Sequence, residues 1–335
     1  MDGFLNLHKP FGWTSHDCVA RVRRLFNTKK VGHAGTLDPA ATGVLPIAIG
    51  RATRLLQFLP TGKRYQAIVR FGVTTATDDL EGDVLTQKAC PELTLEQIKA
   101  ILPQFQGTIQ QIPPAFSAIQ VDGKRLYDLA RAGLAVDVPM RQVDVSKLEV
   151  LDWRSGEFPE VDLDITCGGG TYIRAIARDL GSILGTGATL AGLVRTHSSG
   201  FDIGESWTVE DLEAALEGGR FSLYGVEQPL LGLPSLNLNA EQTWRWCNGQ
   251  RIAPPILDWT LNQHYRVQYL NAATQALEFL GMGEVQVRDD VPFLKAKMGY
   301  SDCPCDRPTD QPKNPPTGPP TGPPTGLPTE PPIGT

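Results

Sequence analysis

The sequence predicts an α+β protein in which a main unit is followed by a smaller β-rich unit and a Pro-rich tail. Three observations carry this. Segments that alternate apolar and polar residues are interleaved with segments of helical spacing. The chain has 335 residues, and its texture changes near Leu233-Pro234, which suits one large and one small domain. From about residue 303 the composition becomes low-complexity, with Pro-Pro-Thr-Gly three times in succession between Pro315 and Gly326. Such a tract has almost nothing apolar to bury and reads as a disordered tail. The divisions fall at residues 1–232, 233–299 and 300–335.

The elements follow in order. Phe4, Leu5 and Leu7 mark a strand over residues 3–9, ended by Pro10. Thr14, with Asp17 three positions on, resembles a capping box. A helix follows that turns Val19, Val22, Leu25 and Phe26 inward. Residues 44–49 are an apolar run expected as a buried strand, 52–59 a turn or two of helix, and 65–71 an alternating strand. Asp78, Asp79, Glu81 and Asp83 read as a solvated acidic loop, since they lack the ligand order of a calcium loop. Thr94 and Gln97 open a helix through Leu102, and a short helix over 125–132 closes at Gly133. Strands are expected over 145–153 and 161–167, and helices over 171–184 and 209–216. Residues 235–297 read as short strands and turns, holding Trp244 and Trp246, with a turn at Gly281-Met282-Gly283.

Composition narrows the function. No apolar run approaches the roughly 18 residues of a membrane helix, and the first residues lack a basic segment followed by an apolar one, so a cytoplasmic protein is expected. Six scattered cysteines are expected as thiols. Cys303 and Cys305 lack the second pair a zinc site needs, and no metal is expected. No Walker sequence, Gly-x-Ser-x-Gly or His-Glu-x-x-His occurs, and Gly185-x-Gly187 is followed by Leu190 where a dinucleotide fingerprint wants Gly. Net charge is −6, yet residues 1–70 hold eleven Lys/Arg against Asp2, Asp17 and Asp38. That is +8, which leaves −14 on the rest. A basic face on an acidic body is what phosphate contact requires, although an ordinary solvated face has the same composition.

The stretch Gly32-His33-Ala34-Gly35-Thr36-Leu37-Asp38-Pro39-Ala40-Ala41-Thr42-Gly43 carries the chemistry. Its glycines and proline exclude a regular helix or interior strand. Pro39 biases Asp38 towards an extended backbone, which fixes the direction of the carboxylate. Small neighbours leave room for a bulky ligand. The same features also suit a structural turn in which Asp38 is a cap.

This stretch resembles the catalytic-aspartate motif of the bacterial TruB family, the tRNA pseudouridine-55 synthases. Four more segments are similar to that family in order: residues 5–15 with Lys9-Pro10, then Lys63-Arg64-Tyr65, then Gly170-Thr171-Tyr172-Ile173-Arg174 with Asp179-Leu180-Gly181, then Leu193 with Arg195. His8 departs from the pattern where Asn or Asp is expected, and an effect on loop packing is the expected consequence. Residues 279–284 resemble, more weakly, the family's PUA-like RNA-binding domain. The resemblance implies a pseudouridine-synthase fold, with a mixed, mainly antiparallel sheet flanked by helices. It implies a cofactor-free isomerase that acts on the T stem-loop of tRNA as a monomer without an obligatory protein partner. Asp38 would be the catalytic carboxylate and Arg174 its counter-ion. Tyr65 would stack on the everted uracil and assist removal of its C5 proton. His33 would fill the gap the base leaves, Tyr172 and Leu193 would wall the uracil pocket, and Lys9, Lys63 and Arg64 would hold phosphates. A non-catalytic tRNA-folding chaperone and a guide-RNA-dependent synthase remain the alternative readings.

Overall fold

The computed structural model describes residues 1–117, 120–121, 124–125, 138–256, 258–271 and 274–304. They form two compact units. One holds Met1–Ser235 with Gln263–Arg266, and the other holds Leu236–Asn262 and the residues from Val267 on. Beyond Arg125, the expected helix over 125–132 lies outside the described residues.

The main unit is built on a nine-stranded sheet. Its strands are β1 (Gly3–Lys9), β2 (Val31–His33), β3 (Thr42–Ile49), β4 (Lys63–Phe71), β7 (Gly107–Gln111), β10 (Arg141–Arg154), β11 (Glu160–Cys167), β12 (Ala188–Ser198) and β13 (Phe201–Asp202). The ribbons β5 (Val73–Thr75) with β6 (Val84–Gln87), and β8 (Gln120–Val121) with β9 (Lys124–Arg125), stand apart. The path through the sheet is β1-β3-β12-β4-β11-β10-β7, with β2 on β3 and β13 on β12. Every described pairing in it is antiparallel except β12 on β3. The mixed, mainly antiparallel sheet is therefore present.

Two apolar clusters hold this sheet. In the first, Tyr65, Ala67, Val69 and Phe71 of β4 and Val161, Leu163 and Ile165 of β11 pack with Ile173, Ile176, Ala177 and Leu180 of helix Ile173–Leu184. In the second, Leu5 and Leu7 of β1 and Leu45, Ile47 and Ile49 of β3 pack with Val19 and Val22 of helix Ser15–Leu25 and Leu212 of helix Val209–Glu217. Each buried Val, Leu, Ile or Phe among them contributes about 1.5–3 kcal/mol. The capping box forms as the sequence indicated: Thr14 accepts from the Asp17 amide at 3.1 Å, and the Asp17 carboxylate accepts from the Thr14 amide at 2.9 Å. Helix Ile173–Leu184 lies close to β12 because Gly181 has no Cβ. A methyl there would run into the backbone of Gly187 and Ala188.

The second unit carries a four-stranded sheet in the order β14 (Ser235–Leu238), β15 (His264–Leu270), β16 (Leu277–Arg288), β17 (Val291–Gly299). Two expectations fail here. Trp244 and Trp246 lie on a helix, Ala240–Cys247, opened by an Asn239 capping box, and not on strands. Gly281-Met282-Gly283 is the interior of β16, and the extra residue at the register shift beside it, Lys297, lies on β17. The two glycines mimic a turn in sequence, but the flanking residues keep pairing. Among the described residues no helix is long and apolar enough to cross a membrane.

Candidate active site

The Asp38 loop runs between β2 and β3 and is anchored from four directions. The Gly12 amide donates to Pro39 O at 2.9 Å. Ser15, in the first turn of its helix, accepts from the Leu37 amide at 2.9 Å and donates to Leu37 O at 3.2 Å. From β12, Arg195 donates to Gly35 O at 3.0 Å and Thr36 O at 3.3 Å. Lys9 supplies the fourth anchor and corrects an expectation. Its side chain is fully buried, and its Nζ donates to Pro10 O (2.9 Å), Trp13 O (2.6 Å) and Pro39 O (3.0 Å). An ammonium with all three protons committed to carbonyls has none for a phosphate. Lys9 fastens the loop and does not face RNA.

Asp38 pairs with Arg174, Nε to Oδ2 at 3.0 Å, and 38 % of the Asp38 side chain remains accessible. The carboxylate therefore has one end on a buried cation and another open to an incoming group. Burial pushes its carboxyl above the usual carboxylate range, with Arg174 pulling it down and Asp79 pushing it up. Arg174 sits in the first turn of helix Ile173–Leu184, itself buried. Its Nη1 donates to Thr77 O at 2.9 Å and its Nη2 to Phe116 O at 3.0 Å. A guanidinium fixed on so many sides cannot follow solvent, so it holds the carboxylate in one direction.

Asp79 is the second correction. Residues 76–83 are not simply a solvated loop. Asp79 is 6 % exposed, and its Oδ2 lies 3.5 Å from Arg174 Nη1. It accepts from the Thr77 hydroxyl and, at 3.1 Å, from the Glu81 amide. Asp78 pairs with Arg178 at 2.9 Å. Two arginines one helical turn apart thus draw two adjacent carboxylates inward. Glu81 also belongs to this neighbourhood: burial, Asp79 and Asp38 all push its carboxyl up. Among the described residues no group of His, Cys, Asp or Glu is arranged to hold a metal.

Tyr65 on β4 is 6 % exposed and opposes Arg195 on β12. Burial pushes its phenol above the usual tyrosine range, with Arg195 pulling it down and Cys167 and Asp38 pushing it up. Leu193 is opposite Ala67, so Leu193, Arg195 and Tyr65 share one side of the sheet. Tyr172 is half-buried at the N-cap of the Arg174 helix. The buried Gln111 amide clamps its backbone, accepting from Tyr172 N at 2.8 Å and donating to Tyr172 O at 3.0 Å. His33 ends β2, with its ring edge-on to His16 at 5.7 Å. Burial first, then His16 and Arg195, lower its pKa, which keeps the ring neutral at pH 7.

The structure does not bring every candidate to this point. Arg64 makes a two-pronged pair with Asp164, both contacts at 2.8 Å. Lys63 donates to Thr61 O at 3.0 Å and packs near Gly35. The basic surplus of the first seventy residues is partly neutralised, because Arg21 pairs with Glu213, Arg51 with Asp2 and Arg70 with Glu160. Arg23, Arg24, Lys29, Lys30 and Arg54 stay exposed. His8, the departure noted in sequence, places Nδ1 3.5 Å from the Ser206 hydroxyl, while its amide donates to Trp207 O at 2.7 Å.

Comparison with known proteins gives this arrangement its family. The model of the TruB family pseudouridylate synthase N-terminal domain matches residues 23–173, and that of the tRNA pseudouridylate synthase B C-terminal domain matches residues 174–221. A Nostoc sp. protein named tRNA pseudouridine synthase B is 56 % identical over 292 residues, which are 87 % of this chain and 97 % of that one. The chain belongs to the TruB family. A Synechocystis sp. TruB-family relative of the same name is 57 % identical over 77 % of this chain and 87 % of its own. The fold is also that of a solved Cbf5-Nop10-Gar1 complex, with a TM-score of 0.69 and 25 % identity over 90 % of this chain and 85 % of the matched one. Within this TruB-family site, sequence reasoning had not picked out Asp79, Gln111 or the anchoring roles of Ser15 and Lys9. The adjacent acids Asp78 and Asp79 were the one available signal, and only for Asp79, since their partners Arg174 and Arg178 lie far along the chain.

Proposed function

We propose that this chain isomerises uridine to pseudouridine in tRNA, at position 55 of the T arm, acting as a cytoplasmic monomer. The observation that carries the reading is the Asp38–Arg174 pair. A carboxylate that burial would protonate is kept next to a buried guanidinium on a firmly anchored loop, yet stays open on one side. The isomerisation breaks the N1–C1′ bond and joins C5 to C1′. All atoms of the product come from the substrate, so the reaction as written uses no cofactor. Positive charge develops at C1′ as the bond breaks, and an ionised carboxylate beside it lowers that barrier.

Each remaining part then has a task. A base stacked within the folded arm must be everted first. His33, neutral and at the end of its strand, fills the gap. Tyr65 and Leu193, on the same side of the sheet, flank the uracil, and Tyr172 closes the pocket from the Arg174 helix. Lys63, Arg64 and the exposed Arg23, Arg24, Lys29 and Lys30 meet phosphates and set the register of the RNA. Residues 233–299 add a PUA-like RNA-binding surface. Asp38→Asn is expected to leave the fold intact and abolish tritium release from C5-labelled tRNA. Turnover retained by the pure variant would overturn the assignment. Activity of the wild-type protein on a bare tRNA transcript separates this reading from a guide-RNA-dependent one, and mapping of pseudouridine in the product identifies the position.

A further inference from the structure

Phe11 is 71 % exposed, and every other described Phe, Tyr and Trp is buried or half-buried. A single exposed apolar side chain is ordinary on a protein surface. The turn that carries this one is not. Lys9 Nζ holds Pro10 O just before Phe11 and Trp13 O just beyond it, and the Gly12 amide donates to Pro39 O at 2.9 Å. Gly12 has φ +80° and open space where a Cβ would stand. The ring is thus carried into solvent on a backbone fixed from both ends.

The strap from Phe11 to His16 lies along the Asp38 loop in reverse order. Gly12 bonds Pro39, Ser15 bonds Leu37, and the exposed His16 has its ring edge-on to His33 at 5.7 Å. Asp38 falls between the first two of these contacts. Phe11 therefore stands at the Pro39 end of the loop and His33 at the other, with the partly accessible carboxylate of Asp38 between them along the chain.

We propose that Phe11 is a stacking platform for one nucleobase of the substrate RNA, that of a loop nucleotide next to the everted uridine, an inference that rests on the reading above. Everting the uridine strips a stacking face from each nucleotide beside it. His33 is assigned to the gap itself, at one end of the Asp38 loop. Phe11 offers a second flat apolar face at the other end. Unpaired bases are held on aromatic rings in this way, and every base has a face to stack, so the contact grips the loop without reading its sequence. A ring already held in place gives up little freedom on contact. Phe11 carries no charge, so its contribution is separate from that of the side chains that meet phosphates.

The test measures tRNA affinity and turnover for wild type, Phe11→Ala, Phe11→Leu and Phe11→Trp. Wild-type turnover on a bare transcript checks the underlying reading separately. Phe11→Ala is expected to weaken binding about 5- to 150-fold, the span that one base on one aromatic ring covers, with most of the loss in KM. Phe11→Trp should bind as wild type or more tightly, Phe11→Leu should fall in between, and the salt slopes of all four should coincide. A set of transcripts, each lacking one base of the loop around the target, closes a double-mutant cycle. On one of them, with the missing base beside the target, Phe11→Ala should cost nothing further. Affinity of Phe11→Ala within about twofold of wild type, an equal loss in all three variants, or a penalty that persists on every abasic transcript overturns the proposal. So does a wild-type dimer in sedimentation that Phe11→Ala dissolves while RNA affinity stays unchanged, since the ring would then pack on a second copy of this chain.

Discussion

Replacing Arg174 with Met isolates what the guanidinium does for Asp38. At 3.0 Å and an effective dielectric of about 20, the attraction is about 5 kcal/mol before screening. More than a third of the Asp38 side chain meets water, and discounting for that leaves roughly 2–3 kcal/mol. If this differential falls on the ionised carboxylate, the rate drops by about 30- to 150-fold where protonation of Asp38 limits it. The sign follows from the causes of the shift. Burial and Asp79 raise the carboxyl and Arg174 lowers it. Without Arg174 the carboxyl rises further, so Asp38 ionises only at higher pH. The variant's deficit should therefore be largest at the acid end and shrink as pH rises. Single-turnover formation of pseudouridine across roughly pH 6 to 9, a window above the ordinary carboxylate range, measures this, with circular dichroism to confirm the fold. A deficit of the same size at every pH would refute the electrostatic account and leave Arg174 a purely structural residue.

Other perturbations have equally definite outcomes. Lys9→Met strips three carbonyls of their donor and should cost about 3 kcal/mol, measured by urea unfolding, while the salt dependence of tRNA affinity stays that of wild type. A shallower salt slope would restore Lys9 as a phosphate contact. Gly43→Ala should cost more than about 2 kcal/mol, because Gly43 has φ +101° and an added Cβ would meet the Arg195 backbone. A melting temperature within a degree or so of wild type would contradict the close approach of β3 and β12. Asp38→Asn should melt no lower than wild type at neutral pH. Because the folded carboxyl is raised, its ionised form opposes folding, a cost absent below the ordinary carboxyl range and complete above the raised folded value. Calorimetry below and above that window should show the variant gaining on wild type as pH rises, and a lower melting temperature at neutral pH counts against the argument.

Much of this was legible in the sequence where a rule of local chemistry applied. The alternation of β4, the Thr14 and Thr94 caps and the Asp38 loop are all local patterns, and the structure keeps them. Strand β12 was not legible, although it lies at the centre of the sheet. Ala188–Ser198 mixes Thr, Gly, Arg and His without alternation, and register shifts interrupt its pairing with β4. Its extended form is imposed by neighbours on both sides and not by its own composition. Asp79 was misjudged for a related reason. A cluster of acids reads as solvated unless the cations that draw it inward are known, and Arg174 and Arg178 lie about a hundred positions later. Lys9 shows the opposite error, since a basic residue in a basic segment was assigned to phosphates while carbonyls were waiting for it.

The clasp between Arg195 and the backbone at Gly35 and Thr36 joins positions 159 and 160 apart in the chain. During synthesis the aspartate leaves the ribosome early, long before the strand that secures it. A nascent chain stopped short of β12 would hold every residue of the Asp38 loop and still lack its clasp. Closing so long a span is entropically slow. The Asp38 loop is thereby completed only once β12 has been made and has joined the sheet.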